Sequence, residues 1–160
     1  MPGYELFGDE ELILVASPTG NGSETTVLRA FDGQLLGKRK IPTLDQRWTT
    51  VGRNVLAWKN LPDGRMTLFL YDPWSESDVW SHTFLHGTKA TLVNQESAAV
   101  MQRDGKFMMI DLASGKVAFE HKLEAEPNLQ NIFVVRSTDQ DILITNRPAP
   151  PVRQEGGAAK

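Results

Sequence analysis

Asp32, Asp72 and Asp111 each close a short apolar run, in VLRAFD, LFLYDP and FMMIDL, and they stand 40 and 39 positions apart. Carboxylates at recurring positions could act as general acids or bases. One side chain repeated at nearly equal spacing points instead to one structural duty performed three times, the carboxylate accepting backbone N–H bonds in the turn after the run. His82 and His86, four residues apart, would on a helix offer two imidazoles to a zinc ion. SHTFLHG reads as a strand and the loop after it, with neither a glutamate base nor a third ligand evident, so no metal is expected. His121, in FEHKL, is expected at the surface of an outer strand rather than in proton transfer.

The glycine-rich segment PTGNGSET, residues 18–25, lacks the Lys-Ser/Thr ending and the following helix of a phosphate cradle, and reads as a hairpin loop. Asn21-Gly22-Ser23 is a glycosylation sequon only on a eukaryotic secretory route. The absence of cysteine removes disulfides, thiolate metal sites and cysteine nucleophiles together. Trp48, Trp58 and Trp80 fall within apolar runs, where core packing is expected. Trp74 differs, because it lies in the turn DPWSESD among polar neighbours; it is expected to be exposed and is the candidate residue for binding a partner. No catalytic residue, cofactor site or metal site is expected.

Charge and composition bound the partners. Seventeen Lys and Arg against twenty Asp and Glu leave a formal charge of -3, with the signs interspersed, so no basic footprint for a nucleic-acid backbone is present. Hydrophobic residues make up 40%, enough for a packed core. No apolar run approaches the roughly 18 residues that span a bilayer. MPGYELFGDEEL carries acidic residues where a secretory signal would be basic and then apolar.

The elements that must hold these side chains have period 2. Runs such as ELILVAS, TTVLRAF, NVLAWKN, MTLFLYD, SAAVMQ, NIFVVRS and DILITNR are separated by Gly, Asn, Asp, Ser or Pro, which predicts an all-β fold. Asp63-Gly64 and Asp104-Gly105 predict tight hairpins between neighbouring runs. The aspartate spacing makes the repeat about forty residues long, and four short strands fit in each repeat, the blade pattern of a β-propeller. The repeats are read as about 4–42, 47–84 and 90–123, with a fourth of two strands at 131–146. Residues 1–147 are thus a partial propeller of about three and a half blades, and 148–160, rich in Pro, Gly and Ala, are expected to be disordered. The face of the first blade around Leu12 to Val15 is expected to lack a covering blade.

In FMMIDLASGKVAFEHKL, residues 107–123, Asp111 closes the third strand, Ser114-Gly115-Lys116 turns the chain, and Phe119 lies eight positions beyond Asp111; Trp80 follows Asp72 by the same interval. Both rings are expected to plug an interface between blades. The first repeat has Lys40 at that place. At Asp111, Ser114, Gly115, Lys116 and Phe119 the chain resembles the pyrroloquinoline-quinone-like propeller repeat, with Phe in place of the usual Trp. The resemblance implies an extracytoplasmic setting and a choice of two functions. One is a non-catalytic scaffold, like the outer-membrane assembly lipoprotein of that family, binding a protein or peptide or the remaining blades of a longer polypeptide. The other is part of a quinone-dependent dehydrogenase holding pyrroloquinoline quinone and calcium.

Overall fold

The computed structural model of the chain describes residues 3–20, 22–41, 46–136 and 140–146. The first sheet contains β1 (Glu5–Gly8), β2 (Leu12–Thr19), β3 (Gly22–Arg29) and β4 (Leu35–Ile41). The second contains β5 (Gln46–Val51), β6 (Asn54–Asn60), β7 (Met66–Asp72) and β8 (Ser77–Phe84). The third contains β9 (Lys89–Leu92), β10 (Ser97–Met101), β11 (Lys106–Asp111) and β12 (Val117–Lys122). A fourth is formed by β13 (Asn131–Arg136) and β14 (Asp141–Asn146). In every sheet the strands lie side by side in chain order and pair antiparallel, so each full sheet is a four-stranded meander. Among the described residues there is no helix, and none long and apolar enough to cross a membrane.

The strands fall in the repeats read from the sequence, with β5 and β9 each beginning one residue before the boundary expected for its repeat. Residues 148–160, and with them the expected disordered tail, lie outside the described residues, as does Asn21 of the sequon. The segment around PTGNGSET is a hairpin, with Pro18 paired to Ser23 and Thr19 to Gly22. Both Asp-Gly turns form as hairpins: the Asp63 carboxylate accepts the Arg65 N–H at 3.0 Å, and the Asp104 carboxylate accepts that of Lys106 at 3.0 Å. Gly105 has φ 91°, a conformation open to glycine, and a Cβ there would overlap the Leu123 carbonyl.

The sheets stack face against face, and alternation along the strands decides which neighbour each residue meets. Leu12, Leu14 and Ala16 of β2 join Val27 and Ile41 against Val55 of the second sheet. One residue on, the opposite face of the second sheet presents Leu56, Trp58, Leu68, Leu70 and Phe84 to Ala98, Val100, Met108 and Ile110 of the third. Trp58 and Phe84 stack with centroids 5.9 Å apart. The third sheet repeats the device, turning Ala99, Met101 and Phe107 toward Leu129 and Ile132. Hence β6 and β10 are buried on both faces and read as continuous apolar runs, VLAW and AAVM, whereas β2 alternates between buried and half-buried positions.

Two surfaces of this stack are open. Leu12 and Leu14 are covered, but Ile13, Val15 and Leu28 point away from the second sheet and are half-buried. Register places Leu6 beside Val15, and Leu35 beside Leu28, on the same uncovered face, with Leu6 71% and Leu35 59% exposed. At the other end of the stack, no described strand pairs with the far edge of β14.

Candidate functional site

The turn from third to fourth strand is where one blade meets the next. In the third blade Asp111 Oδ1 accepts the Ser114 N–H at 2.8 Å and its hydroxyl at 2.5 Å. Those two bonds, the hydroxyl's first, hold the Asp111 carboxyl below the usual aspartate range. Gly115 then donates its N–H to the Asp111 carbonyl at 2.8 Å and turns the chain at φ 70°. In the second blade Asp72 accepts the Trp74 N–H at 2.9 Å and the Ser75 hydroxyl at 3.0 Å. The residue in the place of Gly115 is Glu76, at φ 55°.

Asp32 does not take the matching place in the first blade. Arg29 does: its N–H bonds the Gln34 carbonyl and its carbonyl accepts the Gly33 N–H, as Asp111 bonds Lys116 and Gly115. Asp32 stands three residues further on, accepting the Gln34 N–H at 3.0 Å and pairing with Arg29 at 3.1 Å. Its carboxylate serves the turn, but the three aspartates are not equivalent. Counting by residue type aligned them, whereas the backbone ladder aligns positions by hydrogen bonding.

A bulge in the pairing of third and fourth strands fixes the alignment of the fourth strands. Val27 pairs Gly37, Leu70 pairs Trp80 and Met109 pairs Phe119, each just before the register shift. Gly37, Trp80 and Phe119 are therefore one position, and Arg39, His82 and His121, two residues on, are another. The fourth strands of the first two blades use these places to reach the next blade's turn.

Trp80 is half-buried, and its Nε1–H donates to the Leu112 carbonyl at 2.9 Å. Its ring lies on Gly115, where a Cβ would overlap it. His82 Nε2 meets the Gly115 carbonyl at 2.6 Å; a carbonyl only accepts, so His82 carries its proton on Nε2. Together Trp80 and His82 grip the turn of the third blade from both sides of its glycine.

In the first blade Arg39 makes the grip. Its Nε–H donates to the Trp74 carbonyl at 3.1 Å, and its guanidinium lies 4.3 Å from the Trp74 ring centroid. Trp74 is half-buried beside the core shared by the first two sheets. The exposed contact expected for it is thus corrected: Arg39 of the preceding blade covers the ring, which packs against the core shared by the first two sheets. Arg53 adds a polar clamp nearby, within 3.6 Å of Asp9, 3.3 Å of Glu11 and 3.6 Å of Asp72.

Phe119 does not plug an interface, and that expectation is corrected too. It is 52% exposed, meeting Phe107 edge-on at 6.3 Å and stacking on His121 at 6.2 Å. Among the described residues the fourth sheet has two strands and no third-to-fourth turn for the ring to cover. His86 Nδ1 lies 2.9 Å from the carbonyl of Gly64, in the turn before β7. Among the described residues no three His, Asp or Glu side chains gather as metal ligands.

Sequence reading missed Arg39 and weighed His82 only as a metal ligand, not as a contact between blades. A signal for His82 was present, because Trp80-Ser81-His82 and Phe119-Glu120-His121 repeat the same spacing 39 residues apart. Arg39 follows a glycine rather than a ring and left no such trace.

Successive four-stranded meanders, each gripping the next through its outer strand, define an array of β-propeller blades. No protein-family model matches the chain, and no curated protein does. Among solved structures it is similar to BamB from Moraxella catarrhalis, at 16% identity and TM-score 0.37, over 74% of this chain and 36% of that one. It is similar to the computationally designed Ika4 protein at 13% identity and TM-score 0.41, over 88% of each chain. The WD40 domain of Toxoplasma gondii coronin matches at 11% identity and TM-score 0.32, over 73% of this chain and 44% of that one. This chain thus spans about a third of the length of the BamB chain it matches.

Proposed function

We propose that the chain is a non-catalytic interaction scaffold of the pyrroloquinoline-quinone-like repeat type, working as part of a larger propeller. The observation that carries this reading is the uncovered face of the first sheet, where Leu6 and Leu35 are exposed beside Ile13, Val15 and Leu28. A contiguous apolar face on a sheet whose other face forms a core belongs against another protein surface. The side chains with chemical potential support the same reading, because Asp32, Asp72 and Asp111 serve turns and His82 joins two blades.

Sedimentation velocity over a range of concentrations tests it. The chain should self-associate through this face, and Leu6→Lys with Leu35→Lys should reduce the association. A wild-type monomer at high micromolar concentration that unfolds cooperatively would show that the face needs no partner. Titration with pyrroloquinoline quinone and calcium tests the non-catalytic part, and a stoichiometric bound-quinone absorbance would overturn it.

A further inference from the structure

We propose that the cleft between the first and second sheets, walled by Ser23 and Ile41 on one side and by Tyr71 and Glu76 on the other, binds a guanidinium group carried by an arginine of a polypeptide partner. The polypeptide source rests on the scaffold reading. The cleft itself lies on the face of the first sheet opposite Leu6 and Leu35.

Equivalent positions in the two sheets explain the space. Register matches Ala16 to Trp58, Ser23 to Met66, Thr25 to Leu68 and Ile41 to Phe84. In the second sheet all four are large and apolar, and Trp58, Leu68 and Phe84 fill the core against the third sheet. In the first sheet each is smaller, and two carry hydroxyls. A cleft of about 750 Å³ remains there, within the range that holds a small ligand or a side chain.

The polar groups of this interface lack partners. Tyr71 lines the cleft and is 9% exposed, yet among the described residues no group bonds its hydroxyl. Thr25, on the same face of β3 as Ser23, has its Oγ1 buried with no hydrogen-bond partner among the described residues. A buried hydroxyl left unbonded is costly, so both oxygens favour a donor brought from outside. Burial first, then the carboxylates of Glu76, Asp78 and Asp72, push the Tyr71 phenol above its usual range. The phenol thus keeps its proton at neutral pH while its oxygen accepts, in a field of negative charge. Among the described residues Glu76 forms no ion pair.

Acceptors in a negative field call for a cation rich in N–H donors. A guanidinium presents five in one plane and lies flat on an aromatic ring, whereas an ammonium is a compact point charge. The interface already uses this chemistry, since Arg39 lays its guanidinium on Trp74 and donates to the Trp74 carbonyl. Lys40 is the one cation among the described lining residues, and register sets it beside Glu24, whose carboxylate also accepts from Lys38 Nζ at 2.6 Å. Lys40 repels an added cation, and Glu24 offsets that repulsion in part.

The test titrates the full chain with the capped tripeptide Gly-Arg-Gly, followed by amide NMR shifts, beside the same peptide carrying lysine or the neutral isostere citrulline. Shifts should cluster at Ser23, Glu24, Ile41, Tyr71 and Glu76, and the citrulline peptide should bind at least about tenfold more weakly. Tyr71→Phe, which keeps the packed ring, should weaken binding at least about threefold, and Glu76→Gln at least as much. Lys40→Ala should tighten it. Ser23→Met with Ile41→Phe gives the first sheet the residues of the second and should abolish binding; the urea midpoint of this variant shows that it folds. Lack of binding at millimolar arginine peptide, shifts centred elsewhere, equal binding of the citrulline peptide, or binding indifferent to both Tyr71→Phe and Glu76→Gln would each overturn the site. A lysine peptide that binds as tightly would overturn the guanidinium assignment. Self-association through Leu6 and Leu35 is read on the opposite face, so failure of the cleft and failure of the scaffold reading are told apart.

Discussion

The ring of Trp80 lies against Gly115 of the next blade, so closely that a Cβ on the glycine would overlap it, and the glycine's φ of 70° is one that a side chain resists. Two independent demands thus meet at one residue. Gly115→Ala should destabilise by at least about 2 kcal/mol, combining about 1–2 kcal/mol for the left-handed conformation with the displaced ring. In the Trp80→Ala background the loss should shrink toward the conformational part alone. Urea unfolding of the two single variants and the double variant measures the coupling, and strict additivity would show that the ring does not rest on the glycine.

The equivalent position in the second blade carries the opposite expectation. Glu76 holds φ 55° with a full side chain. Glu76→Gly should stabilise by about 0.5–1 kcal/mol, the relief of the left-handed conformation less the added flexibility of the unfolded chain. A lowered urea midpoint would refute this reading of the turn.

Phe119→Ala should cost less than about 1 kcal/mol, against the 3–5 kcal/mol of a buried phenylalanine. Trp80→Ala should cost clearly more, since it removes an interblade contact and orphans the Leu112 carbonyl. Equal losses would place Phe119 in a covered interface.

Arg39→Ala should release Trp74, shifting its emission to the red and raising its acrylamide quenching, with a loss of about 1 kcal/mol. Arg39→Lys should restore little, because the Nε–H bond to the Trp74 carbonyl depends on the guanidinium. Unchanged quenching in Arg39→Ala would mean that Trp74 is held by the apolar core alone.

Asp111 links the turn to pH. Its folded carboxyl is held below the unfolded value of about 3.9, so its stabilising contribution is complete above that value and is lost as pH falls through the folded one. Ser114→Ala removes the largest cause and should flatten this part of the acid limb. Thermal melts from pH 6 to pH 2 read the difference, and superimposable acid limbs in wild type and Ser114→Ala would refute the assignment.

Much of the fold was legible in the chain because strands and tight turns depend on local preferences. Alternation marks a strand without knowledge of its neighbour, and the Asp63-Gly64 and Asp104-Gly105 hairpins form where backbone preference places them. The resemblance between WSH at 80–82 and FEH at 119–121 is likewise written in residue types and spacing. What those residues touch is not. Trp80 and Phe119 share a strand position, a bulge and a histidine two places on, yet one grips a turn and the other faces outward, because among the described residues only Trp80 has a third-to-fourth turn opposite it. Trp74 sits in a polar turn and is covered by an arginine 35 residues earlier in the chain. Asp32 matches Asp72 in type, but the hydrogen-bonded ladder puts Arg29 in the matching place. Burial and register belong to pairs of elements, so only the assembled sheets decided them, while the elements themselves were determined by the sequence alone.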